Sequence, residues 1–244
     1  MGKPRLISPA MFDIIGFDGD DTLWDNERLY QHGKERFTEL LRDYSDPLTS
    51  SKLIDDLEVH NINYYGYGIK SYILSMIEAA IVASSGKVPG EIIQKIITIA
   101  RDMLDAEVLL LDHVEETLAI LSQKYDLMLI TKGDQFEQER KVNRSGLSQY
   151  FRYVEIIGDK TVETYQRLFA KYRIEPKRFL MVGNSVKSDI IPVLRLGGKA
   201  IYIHYPNTWS HEKVSEDEVK GLEYLELESV SQMHNFLGIS NRSE

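Results

Sequence analysis

A chain of 244 residues that is 43% hydrophobic and 27% charged has the make-up of one large or two small globular domains with a sizeable core. Its formal net charge of −9, with no block of Lys and Arg, excludes a nucleic-acid polymer as partner, because phosphate-backbone binding needs a basic face. The absence of cysteine excludes disulfides, thiolate metal sites and thiol catalysis, and makes a reducing cytoplasm the expected location.

The first residues, broken by Pro4, Pro9 and Asp13, predict neither a signal peptide nor a membrane span, and the myristoylation pattern fails at Leu6. Phe12, Ile14, Ile15 and Phe17 then predict a strand buried on both faces. It delivers Asp18 and Asp20, two residues apart, to its carboxyl end, where open α/β sheets do their chemistry. Such a pair suits a shared divalent cation, with magnesium beside a phosphate as the expected occupant. Taken alone, the run from Phe17 to Leu23 reads equally as an acidic surface turn. A calcium loop does not fit, because Leu23 and Leu29 stand where Gly and Glu are needed, and no Gly-rich stretch leads into a Lys-Ser or Lys-Thr phosphate loop.

Residues 24–106 read as helical. Helices are expected over 29–44 and 53–60, and the spacing of Ile69, Ile73, Met76, Ile77 and Ala80, then of Ile93, Ile96, Ile97, Ala100 and Leu104, predicts two more. A plain crossover needs about a dozen residues, so four helices in succession predict a separate domain: an all-helical lid over 24–106, inserted into a core formed by 1–23 and 107–244. The run Asn63-Tyr64-Tyr65-Gly66-Tyr67-Gly68 joins two of these helices, either closing over a substrate's leaving group or packing its tyrosines within the lid. Trp24, Asp25 and Asn26 lie where the chain passes into the lid and are placed to sense closure, and Glu27 and Arg28 read equally as part of that entry or as plain helix-start residues.

Downstream, Asp112 is a candidate N-cap with Glu115 three residues on and Val114, Leu118, Leu121 and Tyr125 along one face. A strand over 127–131 follows, then a helix over 135–145, a strand over 153–157, and a helix over 162–172 capped by Thr161. Next come a strand over 179–182, a helix over 186–196 restricted or kinked by Pro192 and ended by Gly197-Gly198, and a strand over 200–203. This alternation predicts an α/β fold with a doubly wound parallel sheet. The stretch 211–220 reads as a solvated loop, before a short strand at Tyr224-Leu225 and a terminal helix to Phe236. The glycosylation triplets Asn143-Arg144-Ser145 and Asn241-Arg242-Ser243 are taken as chance matches, and no histidine has metal-ligand spacing.

Three predicted strands end in polar residues at one edge: Asp18, Thr131 and Asn184, with Lys160 ahead of a helix and Asp189 five residues past Asn184. Singly, Lys160 also reads as a solvent-facing lysine and Thr131 as a packed methyl. In their order, Asp18-Gly19-Asp20-Asp21-Thr22, Thr131, Lys160 and Gly183-Asn184-Ser185-Val186-Lys187-Ser188-Asp189 resemble the four motifs of the haloacid dehalogenase-like hydrolase superfamily, over residues 12 to about 203. The helical insertion resembles that family's cap of the first type. The resemblance implies a magnesium-dependent phosphatase of small metabolites (sugar phosphate, nucleotide or phosphoglycolate-like) that works through an aspartyl-phosphate.

In that reading Asp18 is the nucleophile and Asp20 the general acid and base, with Thr131 and Lys160 stabilising the transferring group. Gly19, Asp21, Thr131, Lys132 and Lys160 bind phosphate. Asp18, Asp20 through its carbonyl, Asn184 and Asp189 hold magnesium, and Thr22 braces the loop. Members that hydrolyse carbon–halogen bonds lack the second carboxylate, here Asp20, and a phosphomutase usually carries Glu-Asp at the fourth motif. Asn184 departs from the usual aspartate, which removes one negative charge from the metal site. A non-catalytic phospho-ligand sensor is the rival from another class.

Overall fold

The computed structural model describes residues 11–206, 209, 212 and 214–238. Near-continuous apolar runs form six parallel strands: β1 Ile14–Phe17, β4 Asp126–Lys132, β5 Tyr153–Ile157, β6 Phe179–Gly183, β7 Lys199–Ile203 and β8 Leu225–Leu227, in the order β5-β4-β1-β6-β7-β8. The two-residue period of a strand sorts their side chains into two cores. Ile15, Phe17, Leu127, Leu129, Leu180 and Val182 pack on one face. Ile14, Met128, Ile130, Phe179 and Met181 pack on the other. Helices α5 Val114–Leu121 and α6 Gln135–Ser145 lie at the first face, and α7 Val162–Tyr172 and α8 Ile191–Arg195 at the second. The fold is therefore the expected doubly wound α/β core.

Between the short strands β2 Trp24–Asp25 and β3 Leu109–Leu110, which pair antiparallel, the chain forms four helices: α1 Glu27–Leu40, α2 Pro47–Tyr65, α3 Ile69–Ala83 and α4 Gly90–Asp105. They enclose a core of their own, with Phe37, Ile54, Tyr72, Met76, Ile96 and Ile99 fully or almost fully buried. The second helix is longer than its apolar spacing suggests, because Asp46 accepts the Thr49 amide at 3.0 Å and Pro47 occupies the first turn. None of the described helices is long and apolar enough to cross a membrane.

Three expectations are corrected. Asp112 does not cap α5: His113 holds the position before it with φ of 62°, and no side chain caps that end. The helix expected over 186–196 begins as one π-turn, Val186–Ile190, before α8, and Pro192 sits in the first turn of α8 rather than kinking a longer helix. Within 211–220, Glu212 is buried, and Glu216–Val219 forms a short helix, α9, opened by a Ser215–Glu218 capping box. The triplet 241–243 lies outside the described residues, while Asn143 is within α6.

One buried carboxylate docks the insertion on the core. Glu137 of α6 accepts the amide of Ile69, the first residue of α3, at 2.8 Å, and pairs with Lys141 at 3.4 Å. Lys70 adds a more exposed bridge to Asp134 at 2.8 Å. Glu137→Ala leaves the buried Ile69 amide unsatisfied and removes one of the partners of Lys141, and is expected to lower stability by about 1–3 kcal/mol, read as the midpoint of chemical unfolding; an unchanged midpoint would show that this contact does not hold the two parts together.

Candidate active site

Register sets the site. Phe17 pairs with Leu129 on one side and Val182 on the other, so the chain leaves β1, β4 and β6 along one edge, and the Asp18 amide still bonds Val182 O at 2.9 Å. Asp18, Thr131, Lys160, Asn184 and Asp189 all line the cavity there. Lys160 Nζ donates to Asp18 Oδ1 and, at 2.6 Å, to Asp189 Oδ1, and all three residues are buried. Burial alone would lower the lysine's pKa, but the two carboxylates outweigh it and hold the ammonium charged. Asp189 is raised by burial, against the pull of Lys160. Gly183 makes room for it: a Cβ there would collide with the Asp189 carboxylate.

Thr131 is buried with no partner for its hydroxyl, an unsatisfied donor at the cavity wall. Gly19 is required beside it, since a Cβ would stand 2.6 Å from Trp24 and 3.3 Å from Thr131 Oγ1. The amides of Thr22 and Leu23 turn back onto the Gly19 carbonyl, whereas those of Gly19 and Asp20 donate to no backbone carbonyl among the described residues.

Asp20 faces a different set of donors. Its carboxylate accepts from Trp24 Nε1 at 2.6 Å, Gln138 Nε2 at 2.9 Å and Lys141 Nζ at 3.0 Å. Lys141 also donates to Asn26 Oδ1 at 2.7 Å. Burial opposes its charge, but Asp20 and Glu137 raise its pKa on balance. Sequence reasoning missed Gln138 and Lys141. With Lys141 counted, Asp18, Asp20 and Asp189 face two ammonium groups rather than one.

Asp21 and Lys132, both expected to bind phosphate, line the cavity and have partners of their own in the protein. The Asp21 carboxylate accepts the amides of Asn26 and Glu27 at 2.8 and 2.9 Å, and its own amide bonds Trp24 O, so it shapes the turn into α1. Burial raises its pKa to about 7. Lys132 is tied to Glu212 and, at 3.1 Å, to Ser188, and lies 4.4 Å from the ring centre of Tyr67. Glu212 also accepts from Ser185 and Ser188; burial works against its charge, yet these partners hold its pKa down at about 2. Tyr67 further meets Trp209 edge-on at 6.3 Å, so the loop after α2 touches the core over the cavity. Tyr64 and Tyr65, by contrast, are exposed.

Among the described residues no three His, Cys, Asp or Glu side chains converge on a metal position, and Lys160 bridges Asp18 and Asp189. An oxygen set remains. Thr22 Oγ1 lies 3.2 Å from Asp18 Oδ2 and 3.3 Å from Asn184 Oδ1, and its single proton serves only one of them at a time. Asp18 Oδ2 and Asn184 Oδ1, both within reach of this hydroxyl, are hard oxygens of the kind a small divalent cation takes.

The cavity, of about 180 Å³, is roofed by α1, α2 and α3 through Glu27, Tyr30, Lys34, Asp55, Glu58 and Ser71. Burial, with Asp21 adding to it, raises the Glu27 carboxyl to about 8. A buried nucleophile candidate, an ammonium bridging two carboxylates and a second acid on the same loop, all under a helical roof, define a hydrolase-type α/β site.

Residues 12–197 match the haloacid dehalogenase-like hydrolase family, and the chain belongs to that family. It is similar to a haloacid dehalogenase-like family hydrolase from Xanthomonas campestris, at 34% identity and TM-score 0.80 over 93% of this chain and 97% of that one. More distant structures share the fold. The HAD-hydrolase YfnB from Bacillus subtilis, bound to magnesium, gives 16% identity and TM-score 0.66 over 93% of this chain and 99% of that one. A 2-haloacid dehalogenase from Pseudomonas syringae gives 18% and 0.61 over 93% and 99%. No curated protein matches the chain.

Burial and the neighbouring Asp55 raise the Glu58 carboxyl from its ordinary 4.5 to about 7. The folded protein thus favours the protonated form, and the stability this group contributes is lost as pH rises through about 7. Glu58→Gln is expected to melt roughly 2–4 °C above wild type at pH 8 and level with it at pH 4; a gain that does not change with pH would contradict the assignment.

Proposed function

We propose that the protein is a magnesium-dependent phosphatase that hydrolyses a small phosphorylated metabolite through an aspartyl-phosphate on Asp18. The observation that carries this reading is Asp20, a second carboxylate two residues on, lining the same cavity and held there by Trp24, Gln138 and Lys141. Phosphoester cleavage needs a group that moves a proton to the leaving oxygen. Displacement of halide from carbon does not, so a retained and positioned Asp20 favours phosphoryl transfer over dehalogenation.

Asp18 attacks phosphorus as the ester P–O bond breaks, and Asp20 gives the departing alkoxide its proton. Water then attacks the aspartyl-phosphate while Asp20 takes up a proton from it, which frees inorganic phosphate and restores Asp18. Lys160 lays its charge along the transferring group, and the unpartnered Thr131 hydroxyl and the Gly19 and Asp20 amides supply donors to the phosphate oxygens. Asp18, Asp189, Asn184 and the Asp20 carbonyl would hold magnesium, whose charge offsets that of the phosphate.

Release of phosphate from p-nitrophenyl phosphate is expected to require magnesium, to vanish in Asp18→Asn, and to fall by roughly 10²–10⁴ in kcat in Asp20→Asn. Halide release from 2-haloacids, or phosphate binding without turnover, would overturn the reading. Because Asn184 is a neutral ligand, Asn184→Asp is expected to bind magnesium more tightly by calorimetric titration, and equal or tighter binding by wild type would contradict its place in the metal set.

A further inference from the structure

The cap end of the cavity is one-sided in its polarity. Glu27 of α1 and Asp55 and Glu58 of α2 bring three carboxyl groups to it. Lys34 is the one cation that the cap helices contribute to the lining, and it is already paired with Asp55. No arginine or histidine among the described residues lines the cavity at all. An independent observation points to a ligand here: Ser71 of α3, only 3% exposed, lines the same cavity, and its hydroxyl has no hydrogen-bond partner. Gln138 Oε1, buried at the core side of this space, is unpartnered as well. Buried polar atoms left without partners are costly, and a bound molecule that bonds them removes the cost.

We infer that the cap end of this cavity receives an uncharged, hydroxyl-rich leaving group, bonded by Glu27, Glu58 and Ser71, and turns away leaving groups that carry a carboxylate or a second phosphate. The inference rests on the phosphatase reading of the same site and narrows it to monophosphates of sugars and sugar alcohols. An anionic leaving group would find three carboxyl groups and no free cation from the cap. Burial favours the protonated forms of Glu27 and Glu58, and a protonated carboxyl offers one donor and one acceptor, the complement of an alcohol rather than of an ammonium ion.

The test uses the full chain with magnesium and a matched pair, glycerol 3-phosphate and 3-phosphoglycerate, which differ in a hydroxymethyl against a carboxylate. A pentitol phosphate, phosphoglycolate and phosphoethanolamine extend the series, and p-nitrophenyl phosphate reports hydrolysis itself. Glycerol 3-phosphate is expected to exceed 3-phosphoglycerate by at least about tenfold in kcat/KM, with the pentitol phosphate higher still. Ser71→Ala and Glu58→Leu are each expected to lower the kcat/KM ratio of pentitol phosphate to p-nitrophenyl phosphate by about threefold or more. Equal or better turnover of 3-phosphoglycerate or phosphoglycolate overturns the inference while leaving the phosphatase reading intact. So does a preference for phosphoethanolamine, or a ratio that neither variant moves. Failure to hydrolyse any of these esters, p-nitrophenyl phosphate included, overturns both.

Discussion

Lys160 and the two carboxylates it joins, Asp18 and Asp189, form the interaction on which the rest of the site depends. A lone charge of either sign at this depth would be strongly disfavoured, and each of the three is tolerated because the others are present. The bridge ties together three places far apart in sequence: the end of β1, the turn before α7 and the π-turn after β6. Parallel strands in register deliver the backbone to the right edge. Gly183, with no side chain of its own, then lets Asp189 reach the bridge.

Two acids on one short loop have been given separate surroundings. Asp18 meets Lys160 and the Thr22 hydroxyl in a buried position, while Asp20 turns to an indole, an amide and a second lysine at the cavity wall. Neighbouring carboxylates in a common environment would share one another's repulsion. In the phosphatase reading proposed above, separated partners let the pair divide attack and proton transfer. The roof adds a third region, where burial favours the protonated forms of Glu27 and Glu58 and Lys34 is paired with Asp55.

Much of the architecture was legible in the sequence because its signals are local. Unbroken apolar runs mark β1, β4 and β6, helical spacing marks the insertion, and polar residues at strand ends mark the edge where Asp18, Thr131 and Lys160 gather. What escaped is set by distant partners. Glu212 sits in a stretch that reads as solvated, yet Lys132, 80 residues earlier, draws it inside. Asp21 belongs to an acidic cluster by composition, but the free amides at the start of α1 claim it. His113 adopts a left-handed turn that nothing in its neighbours announces.

Helix α6 reverses the usual arrangement: Phe136 is 59% exposed, while Glu137, Gln138 and Lys141 face inward. Ordinary selection for a sturdier fold would repaint that inner surface with leucine and valine, because greasy contacts satisfy a buried helix face more cheaply than charges do. Any such improvement would unseat the cap and release Asp20 together. The helix is thus a place where durability and usefulness pull in opposite directions, and an automated redesign of this backbone for robustness would erase its working parts first there.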